Sequence, residues 1–541
     1  MRAIGRWTPT CELSATEPSA LVEGLRRIGQ ALFVVSDNGA PALGLDGAGH
    51  IGERPLDGDY PLLAFVPGLD PANLGDASFC RDHGIRAAYV AGAMANGIAS
   101  EELVEAMAGA GLLSFFGSAG LSVERVSAAI DRLEKSVHGK PYGFNLIHSP
   151  NESELEAKVV DLYIRRGIRL VEASAYLRLT AAVVRFRVHG IHRGADGRVV
   201  TPNRIVAKVS RTEVASRFFA PPPEKLLDEL VQSGAITAEQ AALAQEIPMA
   251  QDVTAEADSG GHTDNRPAIA LLPTLCALRD RFQQEHGYAQ RLRVGLGGGI
   301  STPASAAAAF AMGAAYIVTG SVNQSCREAG TSDIVRQMLA EAGQADVAMA
   351  PAADMFEMGV EVQVLKRGTM FSMRGHKLYE LYRGHKTIDT IPADEREKLE
   401  KTFFRMPLDE VWKQTSEFFA KRDPRQLERA ERDPRHKMAL MFRSYLGQAS
   451  RWANAGVADR QVDYQVWCGP AMGAFNEWVK GSFLEDWRDR HVATIAENIL
   501  YGAAVLARVN QLRSQGVPVP VEAERIEPMT MDALSERMRL D

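Results

Sequence analysis

Residues 294–325, VGLGGGISTPASAAAAFAMGAAYIVTGSVNQS, decide the fold. Their first apolar residues predict a short strand that ends in a glycine turn at 297–299. An alanine-rich helix is expected next, because Ser301, Thr302 and Pro303 form a typical helix start. Residues 315–318 predict a second strand, which runs into another turn of small residues at 319–321. Strand, turn, helix and strand form the repeating unit of a parallel α/β fold.

The two glycine turns are also candidates for binding a phosphate group. Free backbone N–H groups near a helix N-terminus favour an anion, and (β/α)8 barrels place a phosphate site after their seventh and eighth strands. The spacing GLGGGIST differs from the dinucleotide fingerprint G-x-G-x-x-G, and the acidic partner of that fingerprint is missing. The alternative is that the glycines only allow tight turns. Two such turns, one strand apart, favour the phosphate site.

Composition indicates a soluble globular protein with more than one domain. The 541 residues exceed one ordinary core, and 46% hydrophobic and 24% charged residues are typical of globular proteins. A net charge of −7 argues against general nucleic-acid binding. Five scattered cysteines without a CxxC pair indicate neither disulfides nor a metal site. No apolar run long enough to span a bilayer and no signal peptide is predicted, so we expect a cytoplasmic protein without a membrane segment.

Strands and helices alternate over residues 76–345, which predicts a (β/α)8 TIM barrel of the α/β class. A small β-rich module over 1–75 precedes the barrel, and a mainly helical region over 346–541 follows it. The first six barrel strands are predicted at 85–90, 112–116, 142–147, 169–174, 205–210 and 252–257. Two insertions interrupt the alternation: a β-hairpin within about 176–203, with strands at 183–189 and 197–200, and a helical hairpin within about 212–248.

A histidine follows the sixth predicted strand, in the motif DSGGHTD of residues 258–264. Gly260 and Gly261 let the chain pass close to a ligand, and His262 would lie on the catalytic face of the barrel. An imidazole there can donate a hydrogen bond to a ligand oxygen, or a proton near neutral pH. A lone histidine is more often structural. Its position after a barrel strand, beside two glycines, favours a functional role.

These motifs resemble those of known flavoproteins. The short motifs are Gly92-Ala93-Met94, Ser259-Gly260-Gly261-His262, Gly298-Gly299-Ile300 and Gly320-Ser321. They resemble the FMN-binding barrel shared by nitronate monooxygenases and the flavin-dependent bacterial enoyl-ACP reductases. Two longer stretches, GVEVQVLKRGTMF at 359–371 and WCGPAMGAFN at 467–476, resemble the PfaD family. PfaD proteins are the separate, trans-acting enoyl reductases of polyunsaturated fatty acid and polyketide synthases. The resemblance covers essentially the whole chain.

The resemblance implies FMN as cofactor and assigns its binding residues. Gly298, Gly299, Gly320 and Ser321 would hold the phosphate; Ala91, Gly92, Ala93 and Met94 would pass beneath the isoalloxazine ring; and Asn145, Lys208 and Gly261 would complete the cofactor site. His262 would be the catalytic residue, and its role as proton donor or as ligand of substrate or NADPH stays open. A cation such as Lys208 near flavin N1 stabilises the reduced flavin. The alternative for Lys208 is a buried ion pair.

The implied reaction has two half-reactions. NADPH would give a hydride to FMN. An enoyl thioester on an acyl carrier protein would then take that hydride at its β-carbon and a proton from His262 or water at its α-carbon. A homodimer stays open as the assembly. Two other functions also stay open: an oxidase like nitronate monooxygenase, and a non-catalytic barrel subunit of a synthase.

The last third of the sequence offers a possible docking surface. Two RDPR repeats, at 422–425 and 432–435, form a basic cluster together with Lys421, His436 and Lys437. Carrier proteins are acidic, so one interpretation is a docking patch. A solvated helix face is the alternative.

Overall fold

The computed structural model of the chain describes residues 2–10, 13, 17–148 and 153–538. Its strands in chain order are β1 (Gly5–Thr8), β2 (Leu32–Asp37), β3 (Ala40–Gly44), β4 (Ala48–Ile51), β5 (Tyr60–Val66), β6 (Tyr89–Ala91), β7 (Leu113–Phe116), β8 (Gly143–Ile147), β9 (Leu170–Ser174), β10 (His192–Arg193), β11 (Val199–Val200), β12 (Arg204–Val209), β13 (Asp252–Glu256), β14 (Gly261–His262), β15 (Arg293–Gly297), β16 (Ile317–Thr319), β17 (Val347–Pro351) and β18 (Glu361–Leu365). Its α-helices are α1 (Pro18–Arg26), α2 (Ala77–His83), α3 (Glu101–Gly109), α4 (Val123–Ser136), α5 (Ser153–Arg165), α6 (Ala181–Val188), α7 (Thr212–Phe219), α8 (Glu224–Gln232), α9 (Ala238–Ala244), α10 (Ala268–His286), α11 (Pro303–Ala311), α12 (Ser321–Gln324), α13 (Asp333–Ala340), α14 (Phe371–Gly384), α15 (Ala393–Lys398), α16 (Leu408–Arg422), α17 (Arg425–Arg432), α18 (Pro434–Ala455), α19 (Ala471–Val479), α20 (Val492–Ser514) and α21 (Met531–Met538).

Eight parallel strands close into a barrel, in the order β6, β7, β8, β9, β12, β13, β15 and β16. The ring closes where Ile317 of β16 lies opposite Tyr89 of β6. Strands such as β7 and β15 are buried along their whole length, because helices cover the outside and side chains fill the inside. The predicted (β/α)8 barrel is confirmed. Residues 294–325 supply β15, α11 and β16, and Thr302 caps α11 with Pro303 in its first turn.

The predicted strand at 183–189 is wrong, because these residues belong to α6. Thr180 caps this helix by accepting a hydrogen bond from the Val183 N–H. The β-branched run favoured a strand, but the helix packs between α5 and α8, and this tertiary contact overrides the local propensity. The hairpin is therefore limited to the short pair β10 and β11, with His192 opposite Val200. Helices α8 and α9 occupy the position of the second insertion.

The N-terminal residues form a five-stranded antiparallel sheet in the order β3, β2, β5, β1 and β4. Helix α20 connects this module to the barrel, since it packs on α11, α3 and β5. Its Arg508 guanidinium donates to the carbonyl oxygens of Leu25, Arg27 and Gln30. By length and composition alone, α20 is apolar enough to cross a membrane, which differs from the expectation of no such run. In the structure, 83% of the apolar 18-residue stretch of α20 is buried, as in a core helix.

Residues after 345 contribute to three hydrophobic cores, the smallest of which consists of Phe419, Ala430 and Leu440. Strands β17 and β18 form a small antiparallel sheet with β14, which carries His262. Buried residues between Ala350 and Ala449 make a second core around α14 and α18. Buried residues between Tyr464 and Leu534 belong instead to the main core with the barrel. The helical region therefore packs partly beside the barrel and partly into it.

Candidate functional site

A cavity lies where the C-terminal ends of the barrel strands meet. The predicted site residues that line it are Gly92, Ala93, Met94, Asn145, Lys208, Gly261, His262, Gly298, Gly299, Gly320 and Ser321. Ala91 is fully buried within β6, where it pairs with Ser114 of β7 and Thr319 of β16. The cavity wall begins at Gly92, where the chain leaves the strand, and the role of Ala91 toward a cofactor stays a prediction.

Asn145 lines the cavity and also holds its wall together. Its side-chain amide donates to the carbonyl oxygen of Glu172 and to the Ser174 hydroxyl, each at 3.0 Å. Both partners lie on β9, the strand next to the one that carries Asn145. The amide group thus fixes the relative position of two strand ends at the cavity.

The glycine turns form a cradle of backbone N–H groups. Gly298 and Gly299 have φ values of +82° and +78°, which side chains with a Cβ rarely adopt. A Cβ on Gly298 would lie 2.6 Å from the carbonyl atoms of Ala257. Among the described residues, no acceptor takes the backbone N–H of Gly298, Gly299 or Gly320. These donors, close to the start of α11, suit a phosphate group.

We expect the Gly298→Ala variant to bind FMN about ten-fold or more weakly, because a left-handed residue with a Cβ costs roughly 1–2 kcal/mol and the Ala257 carbonyl must also move. The measurement is the flavin absorbance that remains per protein after dialysis, together with a titration of the apoprotein. Gly109→Ala in α3 is the matched control, since a Cβ at Gly109 meets no atom within 4 Å. Equal FMN affinity of Gly298→Ala and the wild type would contradict the cradle.

Three charged side chains meet beneath the cavity, on the adjacent strands β9, β12 and β13. Lys208 Nζ lies 3.5 Å from Glu172 Oε2 and 3.6 Å from Glu256 Oε1. Glu172 is fully buried, and its Oε2 accepts the Ala93 N–H at 2.9 Å. Its other oxygen, Oε1, has no hydrogen-bond partner among the residues that the structure describes, and it lies beside Gly92 at the cavity wall. An orphaned acceptor at this place suits a ligand that carries an N–H group.

The electrostatics of this cluster favour a charged lysine. Burial alone would lower the pKa of Lys208, but the carboxylates of Glu172 and Glu256 outweigh it, so that pKa is raised. Burial raises the pKa of Glu172, and the charge of Lys208 offsets only part of the rise. Lys208 lines the cavity and also belongs to an ion-pair cluster with Glu172 and Glu256, so the ion-pair interpretation is confirmed and the contact with a flavin stays a prediction.

His262, on β14, lines the same cavity. Its Nε2 is 3.2 Å from Asp354 Oδ1, and its side chain is 33% exposed. Burial lowers the pKa of His262, but the Asp354 carboxylate more than compensates, so the pKa is raised. Burial likewise raises the pKa of Asp354, and His262 reverses the direction, so that pKa is lowered. The pair therefore favours a protonated imidazole beside a carboxylate.

A segment from the far end of the chain crosses the SGGH loop and covers the cavity. A Cβ on Gly260 would lie 2.8 Å from the Cys468 nitrogen, and a Cβ on Gly469 would lie 2.8 Å from the Gly260 nitrogen. The Gly469 N–H donates to Ser321 Oγ at 3.1 Å. The two glycines allow this close crossing, which joins the histidine loop, the second glycine turn and residues 467–471.

Sequence reasoning missed several residues of the site. Glu172 and Glu256 carried a detectable signal: Glu172 is a charged residue in the middle of the strand LVEAS, and Glu256 is the last residue of the strand DVTAE, at the end where barrel sites lie. Trp467 belongs to a stretch that served only to identify the family, although it lines the cavity. Asp354 carried no signal, because only the pairing of β14 with β18 brings it near His262.

A second cavity of about 500 Å³ adjoins the first. The residues that line both cavities are Ala95, Ala119, Ile147, His262 and Trp467. Helices α16 and α18 supply most of its outer wall, including Phe418, Phe419, Arg451 and Trp452. His262 therefore lies at the junction between the glycine cradle and a partly aromatic space.

Comparison with known proteins finds two family models that match parts of the chain. Residues 83–377 match the family model described as nitronate monooxygenase. Residues 385–464 match the model described as acyl-carrier-protein S-malonyltransferase, inserted helical domain. The second match covers the helices that form the outer wall of the second cavity.

Three relatives show what the chain is similar to. One component of the polyunsaturated fatty acid synthase of a Thraustochytrium species is 51% identical over 449 residues, which cover 82% of this chain and 30% of that protein. Polyketide biosynthesis protein PksE of Bacillus subtilis is 44% identical over 81% of this chain and 57% of its own length. The crystal structure of the enoyl reductase domain of MlnA, from the macrolactin biosynthesis cluster of Bacillus amyloliquefaciens, has a TM-score of 0.78 at 40% identity and covers 82% of this chain and 99% of that one. The chain thus spans less than two thirds of the two curated relatives.

Proposed function

Because the chain belongs to the nitronate monooxygenase family, and within it to the PfaD-like enoyl reductases of polyunsaturated fatty acid and polyketide synthases, we propose that it is a trans-acting, FMN-dependent enoyl reductase. It would use NADPH to reduce the α,β-double bond of an enoyl thioester carried on an acyl carrier protein. The observation that carries the proposal is the position of His262, between the cavity with the glycine cradle and the second cavity.

The residues of the first cavity fit FMN. The backbone N–H groups of Gly298, Gly299 and Gly320 would bind the phosphate, and Gly92 leaves room for a flat ring beside Lys208. The unpaired Oε1 of Glu172 would accept an N–H group of that ring. When bound, FMN would transfer a hydride from NADPH to the β-carbon of the enoyl thioester.

His262 would supply the proton that the α-carbon needs. Its Nε2 is held by Asp354, so Nδ1 is the ring nitrogen left to donate a proton to the substrate. The Asp354 carboxylate raises the pKa of His262, which favours the protonated imidazole that has this proton to give. Trp467 and Gly469 cover the cavity and would exclude water from the reacting atoms. NADPH, a proton and the enoyl thioester thereby give NADP⁺ and the saturated thioester.

An anaerobic titration of the FMN-loaded protein tests the proposal. We expect NADPH to bleach the flavin absorbance and a crotonyl thioester on a carrier protein to restore it. Bleaching that is reversed only by air would favour an oxidase, as the match to nitronate monooxygenase allows. A wild-type protein that binds no FMN would contradict both enzymes and favour a non-catalytic role in a synthase. Gly298→Ala serves as the flavin-deficient control.

A further inference from the structure

We propose that Arg451 and Arg422, at the outer wall of the second cavity, bind the phosphate of the phosphopantetheine arm that delivers the enoyl thioester. The inference rests on the proposed function, because it names how that substrate is recognised. It assigns a purpose to two guanidinium groups that lie on the path to His262 without taking part in the reaction.

One face of α18 leads along the second cavity to these arginines. Arg443, Gly447 and Arg451 line the cavity at intervals of one helical turn, so they span about 12 Å of helix. The Arg443 guanidinium donates to the carbonyl oxygen of Ala353, the residue before Asp354, which marks the inner end near His262. Arg451 marks the outer end. Gly447 leaves the space between them open, since a Cβ there would meet no atom within 4 Å.

Arg451 and Arg422 share one aromatic ring. Their guanidinium carbons lie 5.2 Å and 5.7 Å from the centroid of the Phe418 ring. Burial, together with the like charge of Arg422, lowers the pKa of Arg451. Arg451 forms no ion pair with an acidic residue in the part of the chain that the structure describes. An anion bound at Arg451 would offset the like charge of the neighbouring Arg422.

The charged residues that line the cavity differ between its two ends. Arg443 lies 3.6 Å from Glu357, and the acidic cavity residue Asp354 is paired with His262 at the inner end, whereas Arg451 lies at the outer end. Three members of the predicted basic cluster have local partners: Arg425 pairs with Glu154, Arg435 lies over Tyr382 and Lys437 over Trp412. Arg422 of that cluster lines the cavity and lies near the Phe418 ring.

The lining of the cavity favours a phosphopantetheine arm. Phe418, Phe419, Trp452 and Trp467 provide apolar surface for an arm of methylene and amide groups that ends in a phosphate. Helices α16 and α18, which carry both arginines, lie within the residues that match the helical domain of an acyl-carrier-protein transferase. The 2′-phosphate of NADPH is another phosphate group that these arginines would bind, and the experiment distinguishes it from the phosphate of the arm.

The experiment compares two substrates that differ only in the phosphate, crotonyl-phosphopantetheine and crotonyl-pantetheine. We expect the wild type to prefer crotonyl-phosphopantetheine. Arg451→Gln should lower kcat/KM for crotonyl-phosphopantetheine roughly ten-fold and change kcat/KM for crotonyl-pantetheine little. Arg451→Lys should retain part of the preference. Arg429→Gln, on the exposed face of α17, is the matched control and should behave as the wild type.

Equal losses on both substrates, or a wild type without preference, would overturn the inference. A selective rise in KM for NADPH, with NADH unaffected, would assign the arginines to the dinucleotide instead. Binding of the non-reactive butyryl-phosphopantetheine and butyryl-pantetheine to the FMN-loaded protein gives a readout without turnover. If the protein binds butyryl-phosphopantetheine more tightly than butyryl-pantetheine but reduces no enoyl thioester, the proposed function fails and the phosphate site stands. If neither butyryl compound binds, the phosphate site fails.

Discussion

Replacement of His262 with glutamine is expected to slow the reduction of enoyl thioesters by roughly 10²-fold to 10⁴-fold, the usual contribution of a positioned general acid. The bleaching of the flavin by NADPH should be nearly unchanged, because that half-reaction needs no proton on the substrate carbon. Stopped-flow absorbance measures the two half-reactions separately. An equal rate of flavin reoxidation by crotonyl thioester in the variant and the wild type would assign the proton to water.

The ion pair between His262 and Asp354 predicts that the rate of turnover depends on pH. The Asp354 carboxylate raises the pKa of His262, so the protonated imidazole persists to a higher pH than in a free histidine. Turnover should therefore decline as the pH rises through that raised value. Asp354→Asn removes the cause, and we expect the decline to move to lower pH. Asp389→Asn, an exposed aspartate far from the cavity, should leave the profile unchanged. An unshifted profile for Asp354→Asn would separate Asp354 from the proton transfer.

Replacement of Lys208 with methionine is expected to destabilise the apoprotein by about 3–5 kcal/mol, the usual cost of leaving one partner of a buried ion pair uncompensated. Glu172 is fully buried and would lose its cation, while Glu256 remains nearby. Thermal unfolding of the protein without FMN measures the loss apart from any effect on cofactor binding. The loss should be smaller at pH 5 than at pH 8, because Glu172, whose pKa is raised by burial, can then become protonated and neutral.

A double variant tests whether the loss arises from the pair. Glu172→Gln combined with Lys208→Met removes both charges, so it should be more stable than Lys208→Met alone. Lys401→Met provides the control, because Lys401 forms an exposed pair with Glu397 and should matter little. If the double variant were less stable than Lys208→Met, the cost would lie in packing, and the electrostatic explanation would be wrong.

The barrel could be predicted from the sequence because its strands are short apolar runs that end in turns of small residues. His262 and the glycine turns belong to the same pattern, and the structure brings them into one cavity, whereas their roles toward FMN stay predictions. Helix α6 was predicted as a strand because its valines favour β structure, and only contact with α5 and α8 decides otherwise. Asp354 could not be predicted, since its approach to His262 depends on a pairing between β14 and β18, which lie far apart in sequence.

The close crossing of Gly260 and Gly469 determines when the cavity can be completed during protein synthesis. All eight barrel strands have been synthesised once translation has passed β16, yet the segment that crosses the SGGH loop and contacts the second glycine turn is still to come. The cavity therefore lacks this cover until residues 467–471 have been made and have folded onto the barrel. Stable retention of a ligand in the cavity should accordingly be a late event in biogenesis.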